Sequence, residues 1–234
     1  MNRTLGLLGG MSWESTLVYY RLINQGVAAA RGGLASAELR LASLDFAQVA
    51  ALQRAGDWAG AGLLLGQAGA GLRRAGAQAL LIATNTMHKV AQAVSEQADL
   101  PLLHIGDATG RAAQALGCRQ LGLLGTRFTM EDPFLAEHLA RHFGLRCQVP
   151  PADDRAEVHR IIFDELCQGR LQDGSRAQLA RIIHELAASG CDAVVLGCTE
   201  LSLLVDPLAP GWPVPLIDTT AQHAQAAVAW LLET

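Results

Sequence analysis

Two stretches decide how this chain folds: Leu81-Ile82-Ala83-Thr84-Asn85-Thr86 and, 114 residues further on, Val195-Leu196-Gly197-Cys198-Thr199-Glu200. Each is a short apolar run that breaks into small polar residues. A bounded apolar run of this length reads as a strand buried on both faces, and the polar residues after it read as the start of a helix. Two further pairs accompany them. Gly6-Leu7-Leu8-Gly9 returns as Gly122-Leu123-Leu124-Gly125 after 116 residues, and Pro101-Leu102-Leu103 returns as Pro215-Leu216-Ile217 after 114. Gly-Leu-Leu-Gly alone is a cheap match in a Leu-rich chain. Three matches in one order at nearly one spacing argue for two similar halves.

Outward from these anchors, short β-rich runs alternate with Ala- and Leu-rich segments of helix length. Residues 5–8, 38–42, 79–83, 102–105, 121–124, 146–149, 193–196 and 215–217 read as strands. Residues 13–30, 58–75, 156–169 and 175–189 read as helices. Such alternation specifies βαβ units and a parallel sheet covered on both faces. If the halves are duplicates, Thr84 and Cys198 occupy equivalent positions, each between a buried strand and a helix. In parallel α/β sheets that is the carboxyl edge, where ligands bind. Two facing copies of one site would place Thr84 and Cys198 on opposite sides of a shared cleft.

Composition sets the outer limits. The chain has 234 residues, half of them hydrophobic and 17% charged, which is enough apolar material for a large core and excludes a disordered chain. A net charge of −4 argues against non-specific nucleic-acid binding, which needs a basic surface. Aromatic residues make up only 5%, leaving little for base-stacking platforms. The apolar run at residues 5–8 is too short for a signal peptide, and no stretch has the length of a membrane helix. A soluble, cytoplasmic protein is expected. The five cysteines are scattered, with no CxxC pair, so neither a disulfide framework nor a zinc knuckle is indicated.

The strand-to-helix switches carry the candidate chemistry. Asn85 or Thr86 can cap the helix after Thr84, and exposed backbone N–H groups there form an anion site. Thr199 and Glu200 stand at the matching switch. A cysteine at a helix N-terminus feels the positive dipole end, so Cys198 is expected to have a lowered pKa and more thiolate than a free cysteine. The bland alternative is a small buried apolar residue, the usual fate of a free thiol. Its match to Thr84 favours chemistry. Gly9-Gly10-Met11-Ser12 closes the first strand and lacks the G-x-G-x-x-G spacing of a dinucleotide site. It reads as a place of close backbone approach to a ligand, or as a tight turn. His138 and His142, four apart on a helix, have the spacing of metal ligands, but without an HExxH carboxylate a solvated face is the better reading. No metal site is expected. His88, His104, His159, His184 and His223 have no evident partner and read as surface or internally satisfied histidines. His88, one helical turn beyond Thr84, is also a candidate to support it.

At these residues the chain resembles the aspartate/glutamate racemase family, the cofactor-independent amino-acid racemases. The resemblance runs the whole length. It is carried by residues 6–16 (GLLGGMSWEST), Asn85-Thr86-Met87-His88-Lys89, Gly125-Thr126-Arg127-Phe128-Thr129 and Gly197-Cys198-Thr199-Glu200. It implies an α/β fold of two pseudo-symmetric, Rossmann-like, three-layer domains with mostly parallel sheets and the active site between them. The first domain would hold residues 1–105 and 214–234, and the second 106–213. Most members use one cysteine per half. This chain has Thr84 where the first cysteine stands, as the branch specific for L-aspartate and L-glutamate does. Met11-Ser12 and Glu200 replace the early Asp-Ser and the late His of the cell-wall glutamate racemases. Where some aspartate-selective members hold the distal carboxylate with Arg and Lys, this chain offers Gln53 and Cys167.

The resemblance implies racemisation of an acidic amino acid without a cofactor. Cys198 as thiolate would remove the α-proton on the L-face, and Thr84 would deliver a proton to the other. The helix N-termini at Asn85-Thr86 and Thr199-Glu200 would hold the α-carboxylate and stabilise enediolate charge. Gln53 is the candidate for the distal carboxylate or amide, Met11 for a backbone contact, and Glu200 for the ammonium or for tuning Cys198. Arg54, Arg127 and Lys89 are cations that either serve the site or lie on the surface. A neutral alcohol is a poor base, so turnover should favour the L-substrate. Two other readings fit Thr84 with Cys198: a single-cysteine decarboxylase of substituted malonates, and a silent homologue that binds an amino acid without exchanging its α-proton. The partner in every case is a small acidic ligand, with no nucleic acid and no membrane. Low charge and high apolar content make a homodimer plausible.

Overall fold

The computed structural model describes residues 3–233 and divides the chain into two units. One holds the chain up to Ile105 and again from His223; the other spans Gly106–Gln222. In the first unit come β1 (Leu5–Gly9), α1 (Trp13–Arg31), β2 (Leu39–Ser43), α2 (Phe46–Ala55), α3 (Trp58–Arg74), β3 (Ala79–Ile82), a 3₁₀ turn (Thr86–Val90), α4 (Ala91–Ala98) and β4 (Leu102–Leu103). The chain crosses within α5 (Ile105–Ala115). The second unit continues with β5 (Gln120–Gly125), α6 (Arg127–Glu131), α7 (Phe134–Phe143), β6 (Arg146–Gln148), α8 (Ala152–Arg160), α9 (Asp173–Ala188), β7 (Ala193–Gly197), α10 (Leu201–Leu204) and β8 (Leu216–Asp218). It returns within α11 (Thr219–Leu232).

Each unit has one four-stranded parallel sheet, in the orders β2-β1-β3-β4 and β6-β5-β7-β8. The same order twice, with β1 matching β5 and β3 matching β7, is the structural form of the sequence repeat. The expected return at residue 214 would have put Leu216–Asp218 in the first unit. That strand instead pairs with β7, Ile217 opposite Val195, so the crossing falls at His223.

The inner strands are apolar on both faces because helices cover both. Along β3, Ala79, Leu81 and Ala83 meet Tyr19, Ile23 and Val27 of α1 and Ala224, Ala227 and Leu231 of α11. Leu80 and Ile82 point the other way, to Ala61, Leu65 and Leu72 of α3 and Val94 of α4. In the second unit, Ala193 and Val195 pack with Leu135 and Leu139 of α7, while Val194 and Leu196 pack with Ile182, Ile183 and Leu186 of α9. Each fully buried Leu or Ile contributes about 1.5–3 kcal/mol.

The region 156–169, expected as one helix, is three pieces. α8 ends at Arg160, a π turn runs Ile161–Glu165, and a 3₁₀ turn runs Leu166–Gln168. Buried Glu165 stabilises the break. Its Oε1 accepts from Arg160 Nη1 at 2.8 Å and its Oε2 from Ser175 Oγ at 2.6 Å, and these bonds hold its carboxyl below the usual range. Burying this carboxylate forces the backbone to bring its partners to it.

Gly197, the last residue of β7, is a glycine for steric reasons. A Cβ there would lie 2.8 Å from the Leu124 carbonyl oxygen on the neighbouring strand, which is backbone and cannot swing aside. Gly197→Ala should therefore destabilise the second unit by about 1–3 kcal/mol. Chemical denaturation would show a lower midpoint; an unchanged midpoint would remove the close approach as a constraint.

Candidate active site

Both inner strands end in the same way. β3 and Ala83 after it are wholly buried, and Thr84 is the first residue partly reached by solvent. β7 is wholly buried, and Cys198 is the first such residue there. A sheet sandwiched between helix layers can present side chains to a ligand only past its strand ends, and these two residues occupy that position in their respective sheets.

In the first unit the ground around Thr84 is held by buried polar groups. Gly10 has φ +89°, and a Cβ on it would lie 2.1 Å from the Leu44 carbonyl oxygen, so only glycine lets the chain turn there. The Gly10 N–H donates to Thr16 Oγ1 at 2.8 Å, and that hydroxyl donates to the Ser12 carbonyl at 2.9 Å. Ser12 caps α1 as expected, its side chain accepting from the Ser15 N–H. The Ser15 hydroxyl reaches across to the Ala83 carbonyl at 3.0 Å. His88 Nδ1 bonds the Thr84 carbonyl at 2.8 Å.

Met11 is buried in the core with Leu8 and Met87, so its side chain serves packing. Gln53, 5% exposed, donates Nε2–H to Met87 Sδ at 3.0 Å. A thioether is a weak acceptor, and a carboxylate oxygen would replace it with gain. Asn85 and Thr86 are both buried. Asn85 stands at the N-cap position but its side chain does not cap the turn, contrary to expectation. The expected helix after Thr84 begins as a five-residue 3₁₀ turn, too short to carry a macrodipole of consequence. Lys89 Nζ lies 4.2 Å from the centre of the Trp58 ring, a cation–π contact.

In the second unit, the thiol of Cys198 donates to Glu200 Oε2 at 2.9 Å. Cys167, on the 3₁₀ turn, approaches Glu200 Oε1 at 3.9 Å. One buried carboxylate thus faces two thiols. Burial pushes the Cys198 thiol well above its ordinary value; the Glu200 charge, Cys167 and the hydrogen bond to Glu200 push the same way. A backbone N–H of Glu200 acts in the opposite direction and is outweighed. Burial, then Glu200, pushes Cys167 up to about 12. The expected lowering of the Cys198 pKa by a helix end is therefore overturned. α10 has four residues, and the nearest full charge is negative. Cys198 rests as a thiol with a proton acceptor in bonding distance. Thr199 is buried beside it.

The other candidate groups lie elsewhere. His138 Nε2 pairs with Asp107 at 2.7 Å and its ring is tilted against that of His142, 4.5 Å between centres; His142 is exposed and His138 partly covered. His159 Nδ1 accepts from the Arg127 N–H at 3.2 Å. His223 is buried and satisfied, with Nε2 bonded to the Leu103 carbonyl at 2.8 Å and Nδ1 to the Tyr19 hydroxyl at 3.0 Å. Ser15 and Glu165 were not singled out from the sequence, since their partners become neighbours only on folding. All five cysteines are free. Among the described residues, no helix is long and apolar enough to cross a membrane.

The family model for Asp/Glu/hydantoin racemases matches residues 8–227. The chain is a member of that family. It is similar to a Yersinia pestis protein of known structure classed with the Asp/Glu racemases: 47% identical, TM-score 0.92, covering 99% of this chain and 100% of that one. An aspartate racemase homologue from Pyrococcus horikoshii is 31% identical with a TM-score of 0.83, covering 100% of both chains. A glutamate racemase from Salmonella paratyphi A is 33% identical over 160 residues, 65% of this chain. The match spans about half of that relative's length, 54%.

The thiol–carboxylate pair makes a direct prediction. Removing the negative charge in Glu200→Gln should lower the Cys198 pKa and raise its alkylation by iodoacetamide at pH 8 by about 3- to 10-fold. Peptide mapping follows Cys198 separately from Cys167. An unchanged or slower Cys198 rate would mean that the carboxylate does not govern the thiol.

Proposed function

We propose that this protein is a cofactor-independent racemase of acidic amino acids, taking L-aspartate, L-glutamate or both to the D-form. Cys198 and Thr84 would be its two proton-transfer groups. The observation that carries the proposal is their shared position, each the first solvent-reached residue past the buried inner strand of its own sheet. An acidic substrate is supported by relatives named for aspartate and glutamate.

In this reading Glu200 accepts the Cys198 proton as substrate binds, and the thiolate takes the α-proton from the L-face. The electron pair left on the α-carbon spreads into the carboxylate as an enediolate, which buried hydrogen-bond donors must stabilise in place of a cofactor. Thr84 Oγ delivers a proton to the opposite face and is re-protonated from solvent in the same step, because a free alkoxide is far less stable than a thiolate. Glu200 then returns its proton to solvent, which closes the cycle. The Met11 backbone, Asn85, Thr86 and Thr199 would line the ligand, and Gln53 would exchange Met87 Sδ for the distal carboxylate. The same proposal includes a homodimeric, cytoplasmic protein, on the low charge and high apolar content of the chain.

The test is incubation with each L-acid in D₂O, followed by chiral separation and mass analysis. The expected result is D-enantiomer carrying one α-deuterium, abolished in Cys198→Ser with substrate binding retained. Binding without α-exchange would instead identify a silent homologue. Turnover of a substituted malonate without racemisation would identify a decarboxylase. Enantiomers have equal free energies in water, so kcat/KM must be equal in the two directions, and the asymmetry expected from Thr84 is confined to kcat and KM separately. The kcat from L-substrate should exceed that from D-substrate by about 10-fold or more, with KM changing in proportion. Equal kcat values would contradict the roles assigned to the two side chains.

A further inference from the structure

His88 is a buried titratable group, bonded to the Thr84 carbonyl, that the proposed reaction leaves unused. It lies on the 3₁₀ turn after β3 and is 4% exposed. Its Nδ1 is 2.8 Å from the Thr84 carbonyl oxygen. A carbonyl only accepts, so Nδ1 carries the ring proton. Nε2 of the neutral ring is then a bare lone pair, buried and without a hydrogen-bond partner. Neutrality has a clear cause: burial, followed by the neighbouring His104 and His223, holds the His88 pKa well below its ordinary value.

A buried acceptor with no partner is a cost, and an apolar side chain of similar size would fill the same space without it. What histidine supplies in exchange is the bond to Thr84. The ring is also held on its other sides. It meets His104 edge-on at 4.7 Å and His223 at 5.4 Å. His223 is itself fixed at both nitrogens, donating Nε2–H to the Leu103 carbonyl and accepting at Nδ1 from the Tyr19 hydroxyl. With Ser15 holding the Ala83 carbonyl, two successive carbonyls past the last paired residue of β3 are tied by side chains.

We propose that His88 is a positioning residue for Thr84: its Nδ1–H bond to the Thr84 carbonyl fixes the backbone from which the Thr84 hydroxyl is aimed. The inference rests on the reading of Thr84 as the group that delivers the second proton. It predicts a selective defect. Deuterium exchange into recovered L-substrate depends on the Cys198 face alone, whereas D-product needs delivery from the Thr84 face. Misdirecting Thr84 lowers the second and spares the first.

The experiment measures both rates in D₂O for the full-length wild type and for His88→Leu, His88→Asn and His88→Gln, with Thr84→Ala in parallel. In His88→Leu, D-product formed per exchange event should fall about 10- to 100-fold. The Asn amide nitrogen stands near the Nδ1 position and should restore most of the ratio. The Gln amide reaches toward Nε2 and should not. The Asn–Gln pair decides the matter even if the leucine variant fails to fold. An unchanged ratio in His88→Leu, or Asn and Gln variants that behave alike, would overturn the positioning role. A loss of both rates in equal proportion would show a purely structural one. If Thr84→Ala still makes D-product at the wild-type rate, the reading of Thr84 fails, and this inference with it. If that variant is dead while the His88 variants keep the wild-type ratio, only the inference fails.

Discussion

The constraint on which this structure depends is that the inner strands of both sheets are buried on both faces. Leu80 and Ile82 serve one helix layer while Ala79 and Leu81 serve the other; Val194 and Leu196 are divided from Ala193 and Val195 in the same way. No side chain along those strands can meet a ligand without a hole in a core. A side chain on these segments can meet a ligand only beyond the strand ends, at the first residues that solvent reaches. Thr84 and Cys198 are those residues, and the glycine before Cys198 exists because the neighbouring strand lies too close for a Cβ.

The electrostatics at Cys198 follow from what surrounds that strand end. A helix of four residues supplies little dipole, while Glu200 supplies a full negative charge within hydrogen-bond distance. A raised thiol pKa is compatible with a base role once the carboxylate is counted with it. In the proposed reaction the thiolate forms as the Cys198 proton passes along the hydrogen bond to Glu200. The π turn contributes from a distance. Glu165, held by Arg160 and Ser175, lies in the π turn that leads into the turn from which Cys167 reaches Glu200 Oε1, the second oxygen of the carboxylate that Cys198 bonds.

Much of this was legible in the sequence because repetition is a global signal. Three matched segments at nearly one spacing gave the two halves, and the doubly apolar runs gave the parallel sheets. The equivalence of Thr84 and Cys198 needed no coordinates. What escaped depended on pairings between residues far apart in the chain. Ser15 and Ala83 are 68 residues apart, and Tyr19 and His223 are 204 apart. The pattern of 156–169 is helical throughout, and only the partners of Glu165 explain its break. Cys198 misled for a related reason. Its position before a helix was visible, but the helix length and the direction of the Glu200 side chain were not. The boundary at 214 was missed because short strands such as Leu216–Asp218 declare their sheet only by pairing.

The central claim is that a hydroxyl from one half and a thiol from the other flank a single α-carbon. A crystal structure with a bound acidic amino acid, or a non-reactive analogue of one, tests it most directly. The account predicts Cys198 Sγ and Thr84 Oγ1 on opposite faces of that carbon, each within about 3–4 Å of it. A ligand approached by only one of them, or two side chains opening into separate cavities, would contradict it.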